Sequence, residues 1–133
     1  MHPVIEQSAN SLLRKNLSAP ALRTVFRIFE AWGLPSQQQI KLLGNPPRST
    51  FCRWKRIDKI VLPQDTLERI SYLFGIYSAL QTLLPKPVTA DAWLKNQNEG
   101  TLFGGRSALL RMLGGQVADL YIVRQFLDAQ RGL

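Results

Sequence analysis

The residues best suited to act on a partner fall in one run, Gly44-Asn45-Pro46-Pro47-Arg48-Ser49-Thr50-Phe51-Cys52-Arg53-Trp54-Lys55-Arg56. A Gly-Asn-Pro-Pro turn leads into basic and polar residues interleaved with two aromatics. On a helix, Phe51 and Trp54 share a face and anchor in a core. Arg48, Ser49, Thr50, Arg53 and Arg56 are then left mainly on the other faces. This is the construction of a helix that reads nucleic acid, with aromatic knobs inward and donors outward. Arg48, Ser49 and Thr50 are expected near the groove, and the fork of donors on Arg53 suits a guanine edge. Lys55, Arg56 and Lys59 suit phosphates. Charge alone would equally describe a solvated face of a structural helix, so the context of the run decides.

Other chemistries are poorly provided for. His2 is the sole histidine, so neither a histidine-based triad nor a zinc site can be assembled. Cys52 is the sole cysteine, which excludes an internal disulfide and fits a reducing, cytoplasmic setting. With no histidine to activate it, Cys52 is expected to be a small packing residue of its helix. Gly104-Gly105-Arg106-Ser107 has the look of a phosphate-cradling loop, but it follows no strand and lacks the Gly-Lys-Ser/Thr ending. A tight turn into a helix accounts for the glycines and leaves Arg106 unexplained. The nine carboxylates show no pairing suited to acid–base work. The chain is expected not to be an enzyme and to use no cofactor or metal.

The net charge of +8 is unevenly spread. Residues 1–63 hold ten Lys/Arg against three Asp/Glu, residues 64–84 one against two, and residues 85–133 six against four. A local cationic excess favours a phosphate-rich partner through counterion release. The basic residues do not line one face of a long amphipathic helix, and no apolar run approaches a bilayer's thickness, so no membrane partner is expected. No secretory leader is evident at the start. A hydrophobic fraction of 45% with 20% charged residues is that of a folded globular chain.

The elements that must position the basic run are helices. Residues 1–17 lack a clean period and read as a mobile or weakly held arm. Ser18 is expected to cap a first helix, with Pro20 in its first turn and Leu22, Val25, Phe26 and Phe29 on its apolar face. Trp32 and Gly33 close that helix. Ser36-Gln37-Gln38-Gln39 reads as a capping box opening a short helix through Ile40, Leu42 and Leu43, which Gly44 ends. Two short helices joined by this turn, behind a support helix, form a helix-turn-helix.

Asp65 is expected to cap the longest helix. There Leu67, Ile70, Leu73, Phe74, Tyr77, Leu80 and Leu84 recur at helical spacing, and low charge predicts cover on both sides. Thr89 is expected to cap a short helix through Ala92, Trp93 and Leu94, and Asn96-Gln97-Asn98-Glu99-Gly100 to form a loop. Ser107 caps a helix ended by Gly114-Gly115. The last helix, from about Gln116 to Arg131, carries too wide an apolar surface for burial on one side, so it is central or meets another chain. The chain therefore reads as all-α. A helix-turn-helix bundle with its arm (1–63) is joined by a long helix (64–85) to a small C-terminal helical domain (86–133). A homodimer would suit a palindromic DNA site, and the last helix or the long helix could supply its interface.

This arrangement resembles the MbcA/ParS/Xre antitoxin family from about Ala19 to the end. Ser49-Thr50-Phe51-Cys52-Arg53-Trp54-Lys55 stands where that family's Thr-x-x-Arg-Trp pattern falls, and Leu67 to Tyr77 is similar to its connecting helix. The back half is the sharper match: Ala92-Trp93-Leu94, a loop with Asn98, Phe103-Gly104-Gly105-Arg106-Ser107, Met112-Leu113-Gly114-Gly115, and Val123 to Gly132. Ala108 stands where many relatives have proline, and Cys52 where many have a larger residue.

The resemblance implies an antitoxin whose C-terminal half binds a RES-domain toxin, an enzyme that consumes NAD, and covers its active site. It implies operator DNA as the partner of the basic half. The residues it assigns to toxin binding are Trp93, Phe103, Arg106, Tyr121, Arg124, Leu127, Arg131 and Gly132. Without the resemblance, the alternative is a stand-alone helix-turn-helix repressor whose C-terminal half only dimerises. An RNA-binding adaptor is disfavoured, since no aromatic-bearing sheet for stacking bases is visible.

Overall fold

The computed structural model describes residues 3–57, 59–98 and 103–132, with residues 3–12 as backbone alone. Among these residues there are seven helices and no strand: α1 (Pro3–Ala31), α2 (Ser36–Leu42), α3 (Arg48–Arg56), α4 (Gln64–Leu83), α5 (Pro87–Trp93), α6 (Ala108–Met112) and α7 (Val117–Gln130). The all-α expectation holds. His2, Asp58, Glu99 and Gly100 lie outside the described residues, so the expected arm start and the tip of the expected loop do too.

α4 is the common support, packing against α1 on one side and against α5 and α7 on the other. Ile70, Leu73, Ile76, Ala79 and Leu80 are all buried. Ile76 lies off the expected stripe, and its complete burial confirms that α4 is covered from more than one direction. Each fully buried Leu or Ile contributes about 1.5–3 kcal/mol relative to exposure. One continuous apolar core therefore runs from Leu22 to Leu127 through α4.

Several expected helix starts are corrected. Residues 3–17 are not a separate arm but the first half of α1, at 29 residues the longest helix in place of α4. Ser18 does not cap a helix and Pro20 lies inside one. The Ser18 hydroxyl donates to the Arg14 carbonyl at 2.6 Å and accepts from the Leu62 backbone N–H at 2.8 Å. A buried serine thus ties the support helix to the segment that leads into α4, and tertiary bonding overrides its capping preference.

α2 is preceded by Pro35 without a side-chain cap. Gln39 instead turns back to donate to the Leu34 carbonyl at 2.8 Å. Pro63, not Asp65, precedes α4, and Asp65 pairs with Arg69 one turn along at 3.1 Å. α5 begins at Pro87 with Lys86 before it, so Thr89 lies within the helix rather than at its cap. The start and end of α6 match expectation. The Ser107 hydroxyl accepts from the Leu110 N–H, and Gly114-Gly115 follows α6. α7 opens with a reciprocal Gln116–Asp119 capping box.

The bond between Ser18 and Leu62 yields a stability prediction. Ser18→Ala leaves the buried Leu62 N–H without its acceptor, which costs about 1–3 kcal/mol. Urea unfolding should show a lower midpoint at unchanged slope. An unchanged midpoint would mean that the tie contributes nothing.

Candidate nucleic-acid and partner interfaces

The turn between α2 and α3 is built by two left-handed residues, Gly44 (φ 95°) and Asn45 (φ 58°). A side chain at Gly44 would strain the backbone and press on the Arg69 guanidinium, whose Nε lies 3.0 Å from where a Cβ would stand. Arg69 is 8% exposed. The turn that aims α3 therefore rests on a cation of α4, held by Asp65.

α3 is fixed from beneath by Phe51 and Trp54, which are 2% and 6% exposed. Phe51 meets Phe26 of α1 edge to face at 5.8 Å. Arg48, Ser49, Arg53 and Arg56 are exposed and Thr50 half-buried, so the expected outward set is brought together on one short helix. Among the described residues, no carboxylate pairs with Arg48, Arg53 or Arg56. Lys55 is exposed but stands on the flank, its Nζ 4.8 Å from the Phe51 ring centre and 5.4 Å from that of Phe26.

Cys52 corrects an expectation: it is exposed rather than packed. With Phe51 and Trp54 both pointing inward, the helical period turns Cys52 outward between Arg48 and Arg56. That placement was available in the 3.6-residue spacing of the two aromatics.

At the other end of α4, the residues expected to meet a partner divide into core and surface. Phe103 and Leu127 are 6% and 2% exposed, so they support the surface rather than form it. Phe103, Trp93 and Phe126 make one aromatic cluster. Trp93 stacks on Phe126 at 6.3 Å, and Phe103 meets Phe126 edge-on at 5.2 Å. Trp93 is half-buried, and Arg106, Tyr121 and Gly132 are exposed. Tyr121 packs against Tyr72 at 5.8 Å and accepts a bond from Gln125.

Arg124 and Arg131 are engaged within the chain. Both approach Asp128, at 3.6 and 3.8 Å. Arg124 also crosses α4, donating to the Ser71 carbonyl at 3.4 Å and lying over the Tyr72 ring at 5.9 Å. Gly75 makes the crossing possible, because a Cβ there would fall 2.4 Å from the Arg124 Nε. The sequence reading missed Gly75. A glycine in the middle of a helix was its available signal, since glycine costs about 1 kcal/mol there unless something approaches closely. Asp119 does double work nearby, pairing with Arg111 at 3.0 Å while accepting from the Gln116 N–H.

No group of metal-ligating side chains is found among the described residues. No helix among them is long and apolar enough to cross a membrane.

Comparison with known proteins agrees with this division. Residues 11–75 match the family model described as an antitoxin Xre-like helix-turn-helix domain. Residues 79–132 match that of an antitoxin Xre/MbcA/ParS C-terminal toxin-binding domain. The uncharacterized protein y4oB of Sinorhizobium fredii (strain NBRC 101917 / NGR234) is 49% identical over 111 residues, which is 84% of each chain.

Proposed function

The chain belongs to the Xre/MbcA/ParS antitoxin family, and from that premise we propose that it neutralises a RES-domain, NAD-consuming toxin and represses its own operon. The observation that carries this reading is the succession of two matches in one chain, a helix-turn-helix followed directly by a toxin-binding domain. Neutralisation is steric: the end of α7, with Arg124, Arg131 and Gly132, covers the toxin's active-site cleft. Trp93, Arg106 and Tyr121 widen the contact, and Phe103 and Leu127 hold it in shape from beneath. The chain acts in the cytoplasm, where toxin and operator are both reached.

On the DNA side, α3 enters the major groove. The guanidinium of Arg53, which meets no carboxylate among the described residues, reads a guanine edge, and Arg48, Ser49 and Thr50 lie along the same approach. Arg56 and Lys55 hold phosphates, Lys55 from the flank. Two copies of the chain bind a palindromic operator. We place their contact on the face between α1 and α4, where Leu13 and Leu17 are 57% and 55% exposed. That face carries both apolar knobs and an apolar cleft beside Leu67 and Phe74. Arg14 of α1 and Glu68 of α4 line the same hollow, so a two-fold contact can pair the one with the other across copies.

Three outcomes are expected. Arg53→Ala should cost about 1–3 kcal/mol of operator binding and relax preference at one base pair. Equal losses on operator and random DNA would reduce Arg53 to a phosphate contact. Removing residues 124–133 should abolish rescue of cells expressing the toxin while operator binding persists, and full rescue by that truncation would rule out the plug. Leu17→Glu should convert the dimer to a monomer in light scattering and weaken binding to the palindrome. An unaltered dimer would move the interface elsewhere.

A further inference from the structure

Hollows of the surface in the first half of the chain are lined by residues between Leu13 and Phe74. A different one, of 280 Å³, is lined wholly by residues that fall within the toxin-binding match. Its walls include Leu80, Leu83 and Leu84 from the end of α4, Trp93 from the end of α5, and Phe126 from α7, with the exposed Gln130 also contributing. We propose that this hollow is an anchoring pocket for the toxin, which inserts one or two apolar side chains there, beside the plug formed by the end of α7. The proposal rests on the antitoxin reading above and goes beyond it by assigning the toxin a second point of attachment.

Four observations bear on what fills the hollow. At about 280 Å³ it stands at the low end of the range of about 300–1,000 Å³ usual for small-molecule sites and has room for one or two apolar side chains. Among the described residues its walls hold no charged group and are mainly leucine and aromatic side chains, with Asn98 and Gln130 polar, which suits an aliphatic or aromatic insert. Trp93 is already held by stacking on Phe126, and Phe103 braces Phe126 from the side. A pocket formed in advance loses little conformational freedom on binding, which is the setting of interface hot spots. Lastly, the hollow and the proposed plug share one helix, on different faces of it. The same turns of α7 contribute Phe126 and Gln130 to the hollow, while Arg124, Asp128 and Arg131 form an ion-paired row. The helical period sets that row well over a quarter-turn around α7 from Phe126 and Gln130, so a toxin reaches both features only by wrapping the end of the helix.

The test uses the full chain labelled with 5-fluorotryptophan and an unlabelled, catalytically inactive form of the toxin encoded beside it. Three tryptophan resonances are expected in the fluorine spectrum, from Trp32, Trp54 and Trp93, and Trp93→Phe identifies the third. Trp32 and Trp54 are 2% and 6% exposed and belong to the other half. Saturation with toxin should shift the Trp93 resonance and leave those two in place. In parallel, Leu83→Glu, which puts a charge in the hollow, should weaken toxin binding at least tenfold while operator binding stays within twofold.

A complex that forms with the Trp93 resonance unmoved overturns the anchoring pocket and leaves the antitoxin reading intact. Toxin binding by a folded Leu83→Glu chain within twofold of the original does the same. A Trp93 shift that follows the chain's own concentration without toxin assigns the hollow to a second copy and also overturns the proposal. No complex at all removes the antitoxin reading itself. The fluorine measurement needs no substitution in the hollow to fold.

Discussion

The fold depends on α4 being buried from two sides at once. A helix with one apolar stripe can join one layer, but α4 also buries Ile76 and Ala79 away from its main stripe. It thereby packs against α1 as well as against α5 and α7. The consequences reach both interfaces. Arg69 of α4 supports the turn that aims α3, and Gly75 of α4 admits the Arg124 side chain that ties down α7. Six residues separate these two supports, less than two helical turns. Any shift of α4 along its axis would disturb the seating of α3 and of α7 together.

The hydrophobic spacing made the helices legible, and with them the basic run, the α4 spine and the over-wide last helix. The helix boundaries were less legible, because three of them turn on partners distant in sequence or on competing local bonds. Ser18 has the residue type of a cap, yet its hydroxyl is consumed by Arg14 and by Leu62, 44 positions away. Pro20 then stays inside a helix despite a penalty of about 3 kcal/mol. Burial of Leu22, Val25 and Phe29 on the same helix offsets that penalty. Asp65 is claimed by Arg69, and Gln39 by the Leu34 carbonyl. Cys52 was different, since its exposure follows from the inward placement of Phe51 and Trp54, and composition outweighed geometry in assigning it to the core.

The two halves also differ in how they spend their arginines, and this separates their modes of recognition. Arg69, Arg111, Arg124 and Arg131 all approach an aspartate within the chain. Among the described residues Arg48, Arg53 and Arg56 approach none, so α3 presents charge open to counterion exchange with a polyanion. A partner that used Arg124 or Arg131 would first have to compete with Asp128, and half-exposed pairs of this kind are worth only about 0–1 kcal/mol. Exchange there costs little and also gains little. Among the described residues, the three arginines of α3 stand without a carboxylate, whereas the two arginines at the end of α7 share Asp128.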